Sequence, residues 1–173
     1  MAVNLEDIKE VLEGLVEKPV RLEFILHPFG KGDLTTDGVQ YSTSISGIDN
    51  TYTALEEEEI LTVPGYTLEE IEFGLTLRCQ SSAAVEAVNW KFQARDPDKA
   101  WVDLITEQTR AASAAAMADV SASGRVTLEA AGFKGNSASF FIRGVVRSAA
   151  AGGETVTAGM KSSSYLICKY RRY

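Results

Sequence analysis

The residues suited to chemistry in this 173-residue chain are few and scattered. His27 is the single histidine, so neither a metal centre built on several imidazoles nor a catalytic dyad needing a second histidine can form. Standing before Pro28, it reads as a loop residue at a strand end. No GxSxG elbow, Walker-type phosphate loop or Rossmann fingerprint occurs in the sequence. The run Glu56-Glu57-Glu58-Glu59 raises calcium or a glycosidase-like carboxylate pair. Successive strand residues point to opposite faces, however, so at most two of the four can converge, and the run reads as a solvated loop or edge segment that resists edge-to-edge pairing. Asp96, Asp98 and Asp103 could approach a cation, but their spacing lacks the glycine and distal glutamate of a calcium loop. Cys79 and Cys168 lie far apart, each in an alternating apolar run, and read as buried free thiols, with a disulfide left open. No metal and no cofactor is expected.

The stretch VNWKFQARDPDKAWVDL, residues 88–104, holds both tryptophans around a short turn. Proline follows aspartate in Asp96-Pro97-Asp98-Lys99, as a type I turn prefers. Faces decide the register. A four-residue loop would set Phe92 opposite Asp103 and bury a carboxylate. A five-residue loop, 96–100, sets Ala94 against Val102 and Phe92 against Leu104, so that both apolar faces agree. Trp90 then points inward. Trp101 points outward opposite Arg95, with Asp103 opposite Gln93 and Ile105 opposite Lys91. A stacked Trp101/Arg95 pair, worth about 0.5 to 1 kcal/mol when exposed, is the simplest use of this face; the other is contact with a partner or a sugar through the indole. The candidate contact residues are therefore Trp101, Arg95, Gln93 and Asp103.

These residues need a scaffold of strands. Residues 68–80 place Ile71, Phe73, Leu75, Leu77 and Cys79 on one face and Glu70, Glu72, Thr76 and Arg78 on the other, the mark of a half-buried strand. Runs of similar kind cover 20–26, 40–46, 59–63, 88–95, 101–106, 125–130, 139–147 and 165–173. Ahead of them, Asn4 can cap a helix, Asp7 suits its positive end, and Leu5, Ile8, Val11, Leu12, Leu15 and Val16 recur at helical spacing, predicting an amphipathic helix over 4–17 that Pro19 stops. Residues 106–117, TEQTRAASAAAM, lean to a helical turn or two on alanine content, and residues 148–153 read as a loop. The expected architecture is mainly β: an antiparallel, jelly-roll-like sandwich of about eight strands over 19–173, with the segment 1–18 as a helix packed on the domain or a neighbouring subunit. Phe140 and Phe141 are adjacent, so one of them faces away from the core.

The hairpin WKFQARDPDKAWVDL resembles a strand-turn-strand element of discoidin-like carbohydrate-binding modules and of sandwich domains in bacteriophage and other viral particle proteins. The discoidin-like modules usually carry glycine in this turn, where this chain has Pro97 and Lys99. The viral likeness implies a sandwich that acts by assembly, with no catalytic residues to carry over. Composition agrees with a globular chain: 45% hydrophobic and 24% charged residues, and no apolar run of the roughly 18 residues that a membrane helix needs. A net charge of -7 argues against a large nucleic-acid footprint, and the basic tail 169–173 reads as the outer face of a last strand. No secretory pattern opens the chain, so synthesis in the cytoplasm is expected. Three classes follow: a non-enzymatic structural protein of a virion (capsid, decoration or fibre-associated), self-associating or binding other particle proteins; a carbohydrate-binding module using Trp101; and, least supported, a jelly-roll enzyme.

Overall fold

The computed structural model describes residues 21–29, 34–36, 39–81, 87–111, 117–127, 138–149 and 155–172. The expected helix over 4–17 lies outside them. Twelve strands occur among the described residues: β1 (Arg21–Leu26), β2 (Leu34–Thr36), β3 (Val39–Ile48), β4 (Thr53–Leu61), β5 (Tyr66–Ser81), β6 (Val88–Arg95), β7 (Val102–Asp103), β8 (Gln108–Arg110), β9 (Ala118–Thr127), β10 (Ser139–Ser148), β11 (Val156–Lys161) and β12 (Tyr165–Arg172). All pairings are antiparallel. None of the described residues is helical, and no helix there is long and apolar enough to cross a membrane.

The strands form two sheets. One has seven strands in the order β1-β12-β5-β11-β3-β2, with β9 on the other edge of β5; the second has five, β4-β10-β6-β7, with β8 also on β6. β12 pairs with residues 66–74 of β5 and β11 with residues 77–81, so the two lie end to end along one neighbour. β7 and β8 lie end to end along β6 in the same way. Alternation is what closes the sheets into a sandwich. Leu75, Leu77, Phe92, Ile142, Met160 and Leu166, drawn from both sheets, are all fully buried in one cluster. The sheets approach closely at Gly144, where an added Cβ would stand 2.6 Å from Met160 Sδ.

Special residues set the turns and slips. Pro64-Gly65 joins β4 to β5, with Gly65 at φ 80 and the Tyr66 N–H donating to the Val63 carbonyl at 3.1 Å, a type II turn that needs glycine at its third position. Gly47, at φ 76, sits where the β3/β11 register slips between Ile45 and Ile48, a bulge of the kind glycine permits. Between β11 and β12 the fully buried Ser164 takes over the ladder: its hydroxyl accepts from the Thr76 N–H at 3.0 Å and donates to the Thr76 carbonyl at 3.1 Å. His27 follows β1 and donates from Nδ1 to the Ser164 carbonyl at 3.1 Å.

Several expected boundaries need correction. The strand expected at 59–63 is the end of β4, which begins at Thr53, so of the two readings of the four glutamates, loop or edge segment, the edge strand holds. Residues 101–106 supply only the two-residue β7, because the chain bends after Asp103. The helical lean at 106–117 fails where it can be seen: Gln108–Arg110 pair with β6, and residues 112–116 lie outside the described set. Gln108, Thr109 and Arg110 precede the alanine run and take the ladder that β6 offers. Residues 118–124 extend β9 well ahead of the expected start at 125, although their small side chains make a faint pattern. Ser148 belongs to β10 and not to the loop. β11 was not expected, since VTAGMK offers little alternation.

The cysteines are free and buried. Cys168 pairs with Ile71, eight residues along β5 from Cys79, a separation of about 26 Å at strand rise, far beyond the reach of a disulfide. Burial pushes the Cys168 thiol up to about 12.

Candidate functional site

The hairpin takes the register argued from its faces: Ala94 pairs with Val102 and Gln93 with Asp103, and the Leu104 N–H donates to the Phe92 carbonyl at 2.9 Å. The turn closes with the Lys99 N–H on the Asp96 carbonyl at 3.1 Å. Trp90 is buried and edge-on to Phe92. Gln93, Arg95, Trp101 and Asp103 thus share the outer face of the five-stranded sheet.

β10 completes that face. Its pairing with β6 sets Phe141 beside Arg95, Arg143 beside Gln93 and Val145 beside Lys91, while Phe140, Ile142 and Val146 point into the core. Trp101 is half-buried here, with the Arg143 guanidinium carbon 3.8 Å from its ring centre and that of Arg95 at 4.9 Å. Arg95 also lies 4.8 Å from the Phe141 ring centre. From the edge strand β4, Glu57 accepts from Arg95 Nη2 at 3.0 Å and lies 4.0 Å from Arg143 Nη1. Arg143 donates to Gln93 Oε1 through Nε at 3.1 Å and Nη2 at 2.9 Å; Gln93 donates in turn to Asp103 Oδ1 at 2.7 Å, and Asp103 Oδ2 meets Lys91 at 2.8 Å. A chain of bonded side chains therefore runs from Glu57 to Lys91.

A second cluster adjoins it. Tyr52 has Lys91 and Arg147 over its ring, at 4.9 and 5.0 Å. Its hydroxyl donates to Glu107, which also accepts from Arg147 at 3.1 Å. Burial and the bond to Glu107 push the Tyr52 phenol up to about 12, so it stays protonated as a donor. Burial pushes the Asp103 carboxyl up, but the bonds from Lys91 and Gln93 and the Lys91 charge outweigh it, and the net shift is downward. Burial likewise pulls the Arg143 guanidinium down, with Glu57 opposing, and it remains a cation.

Four cations (Lys91, Arg95, Arg143 and Arg147) are thus interleaved with three carboxylates (Glu57, Asp103 and Glu107) around Trp101, Phe141 and Tyr52. The arrangement can recognise a surface. Among the described residues no group of three or more His, Cys, Asp and Glu side chains could hold a metal. Asp98 is exposed and Asp96 buried. All four expected contact residues are brought together, while Arg143, Glu57, Phe141 and the Tyr52 cluster were missed. The pattern Phe141, Arg143, Val145, Arg147 marks an outer face, but nothing local says that β10 lies beside β6. The tail behaves as an ordinary last strand: Lys169 pairs with Glu70 at 2.9 Å and also with Glu72, Arg171 lies 3.6 Å from Glu69, and Tyr170 is buried.

Fold and face together define an antiparallel β-sandwich bearing an aromatic and guanidinium layer on one sheet. No family model and no curated protein matches the chain. Among solved structures, one of the infectious bursal disease virus Gt strain is similar over 90% of this chain and 38% of its own, at 8% identity and TM-score 0.47. The infectious bursal disease virus VP2 subviral particle is similar over 90% of this chain and 37% of its own, at 10% identity and TM-score 0.46. Eiger TNF from S. frugiperda is similar over 90% of this chain and 94% of its own, at 11% identity and TM-score 0.44. The chain spans well under half the length of the viral chains to which it is similar. Discoidin-like modules have no counterpart among these three.

Proposed function

We propose that this chain is a non-enzymatic structural protein of a self-assembling particle, a virion component of the capsid, decoration or fibre-associated kind, that acts through subunit contacts. The observation that carries this reading is the layer around Trp101. Trp, Tyr and Arg dominate the energetic centres of protein interfaces, and here they are already held by neighbours, so docking costs little further side-chain entropy. The strand order supports the fold that such proteins use. Counting β7 with β8 and β11 with β12 as single broken strands leaves β3-β11/β12-β5-β9 in one sheet, flanked by β1 and β2, facing β4-β10-β6-β7/β8 in the other, with successive strands from β3 onward changing sheets except at the β6–β7 hairpin, as in a jelly roll. Copies of the same chain and other particle proteins are the partners this face suits.

A glycan platform on Trp101 is the alternative. A sugar stacks on an open ring, whereas the Arg143 guanidinium already sits 3.8 Å from this ring's centre, so a sugar competes with a contact the fold supplies. Native mass by light scattering across a concentration series, for the intact chain and a Trp101→Ala variant, tests the proposal. The expected result is a closed oligomer that loosens by at least tenfold in dissociation constant on substitution. A strict monomer for both chains overturns it, and quenching of tryptophan fluorescence by oligosaccharides then points to the glycan.

A further inference from the structure

The opposite sheet carries a second feature, remote from Trp101. Among the described residues β1 pairs only with β12, and it keeps apolar surface on both of its faces. Leu22 and Leu26 pack against the core, but Phe24 between them is 42% exposed and meets Tyr170 only edge-on, at 5.9 Å. Ile25, on the outer face beside Ile167, is 64% exposed. The strand begins in a basic neighbourhood. Arg21 and Arg172 are exposed, and Arg171, which faces Arg21 across the ladder and lies 3.6 Å from Glu69, is 54% exposed.

We propose that residues 4–17, the segment expected as an amphipathic helix, fold back along β1 of the same chain and seat their apolar stripe on Phe24 and Ile25. Length, charge and connection choose this occupant. Fourteen helical residues span about 21 Å and the six residues of β1 about 20 Å, so one lies along the whole of the other. Residues 1–20 hold five acidic residues against two lysines. A segment that doubles back over Lys18, Pro19 and Val20 brings Glu13, Glu17 and the negative end of its helix dipole to Arg21, Arg171 and Arg172. Connection decides between this segment and any other molecule, because a short link holds a tethered segment at an effective concentration in the millimolar range. The result is an edge strand shielded by a helix, one of the ways in which such edges are kept from pairing with other chains. The contact leaves the Trp101 face untouched, so it is independent of the assembly reading.

Paired cysteines in the full chain test this, cross-linked in the native state by a short bifunctional maleimide from which burial shields Cys79 and Cys168. Phe24 lies about 10 Å along β1 from Arg21, and Leu12, about 8 Å from the helix end at Glu17, is the residue central to the stripe nearest that height. Leu12→Cys with Phe24→Cys should therefore link within one chain about tenfold more than Glu10→Cys with Phe24→Cys, because Glu10 lies on the opposite side of the helix. Denaturing gels separate links within a chain from links between chains, and near-UV circular dichroism of the buried Trp90 reports folding of each variant. Equal yields from the two pairs, links only between chains, or no link in a folded Leu12→Cys/Phe24→Cys variant overturn the proposal. A single Leu12→Glu substitution supplies a second reading without altering β1. Binding of anilinonaphthalene sulfonate should rise about threefold as Phe24 and Ile25 are uncovered, and unchanged binding by the folded variant overturns the cover.

Discussion

Trp101 illustrates how far a single side chain can be read in advance. Its outward position opposite Arg95 follows from parity, because each neighbouring residue flips the face. Arg143, which lies closer to its ring than Arg95 does, was not legible, since it comes from a strand separated by some forty residues of sequence. Asp103 gives this face a pH signature. Its folded carboxyl is held below the ordinary range, so the ionised form stabilises the fold at pH above the ordinary value, and that contribution is lost as pH falls through the depressed folded value. Stability should therefore drop as the solution is acidified below about pH 4. An Asp103→Asn variant, followed by urea denaturation at pH 7 and pH 3, should show a smaller loss between the two than the intact chain. An equal loss in both would mean that Asp103 titrates unshifted.

At the scale of elements, period-two patterns located β5, β6, β10 and β12 well, because each buries one face and exposes the other. They failed for β8 and β11, which are short and poor in large apolar side chains and exist because a neighbouring strand offers them a ladder. The gap between β11 and β12 is likewise a tertiary matter. Ser164 replaces the missing strand residue with two hydrogen bonds to Thr76, from a position without solvent. A Ser164→Ala substitution leaves the part-buried Thr76 N–H and carbonyl without this partner, and should cost about 1–3 kcal/mol, read from the urea midpoint at unchanged slope. A Ser163→Ala change one residue earlier, at an exposed position, should stay within about 0.5 kcal/mol.

For the whole molecule, one apolar cluster draws on both sheets, from Leu55 and Phe92 on one to Leu75 and Met160 on the other. Neither sheet can keep its inner face dry without its mate, so the two should unfold together. Scanning calorimetry should give a single transition whose calorimetric and van't Hoff enthalpies agree. Two resolved transitions would mean that the sheets are separately stable. Charge operates at this scale too: Lys169 and Arg171 of β12 are matched by Glu69, Glu70 and Glu72 of β5.

The sequence by itself determined the mainly antiparallel β architecture, the inward and outward faces of its longer strands, and the hairpin register that turns Trp101 out and Trp90 in. These are local properties, set by alternation and turn chemistry within a few residues. Tertiary structure alone decided that β10 lies beside β6, so that Arg143, Phe141 and Glu57 surround Trp101, and that β11 and β12 lie end to end along β5. Strand neighbours in a sandwich are chosen by how two sheets of side chains fill one core, a sum over distant residues that no short stretch of the chain records.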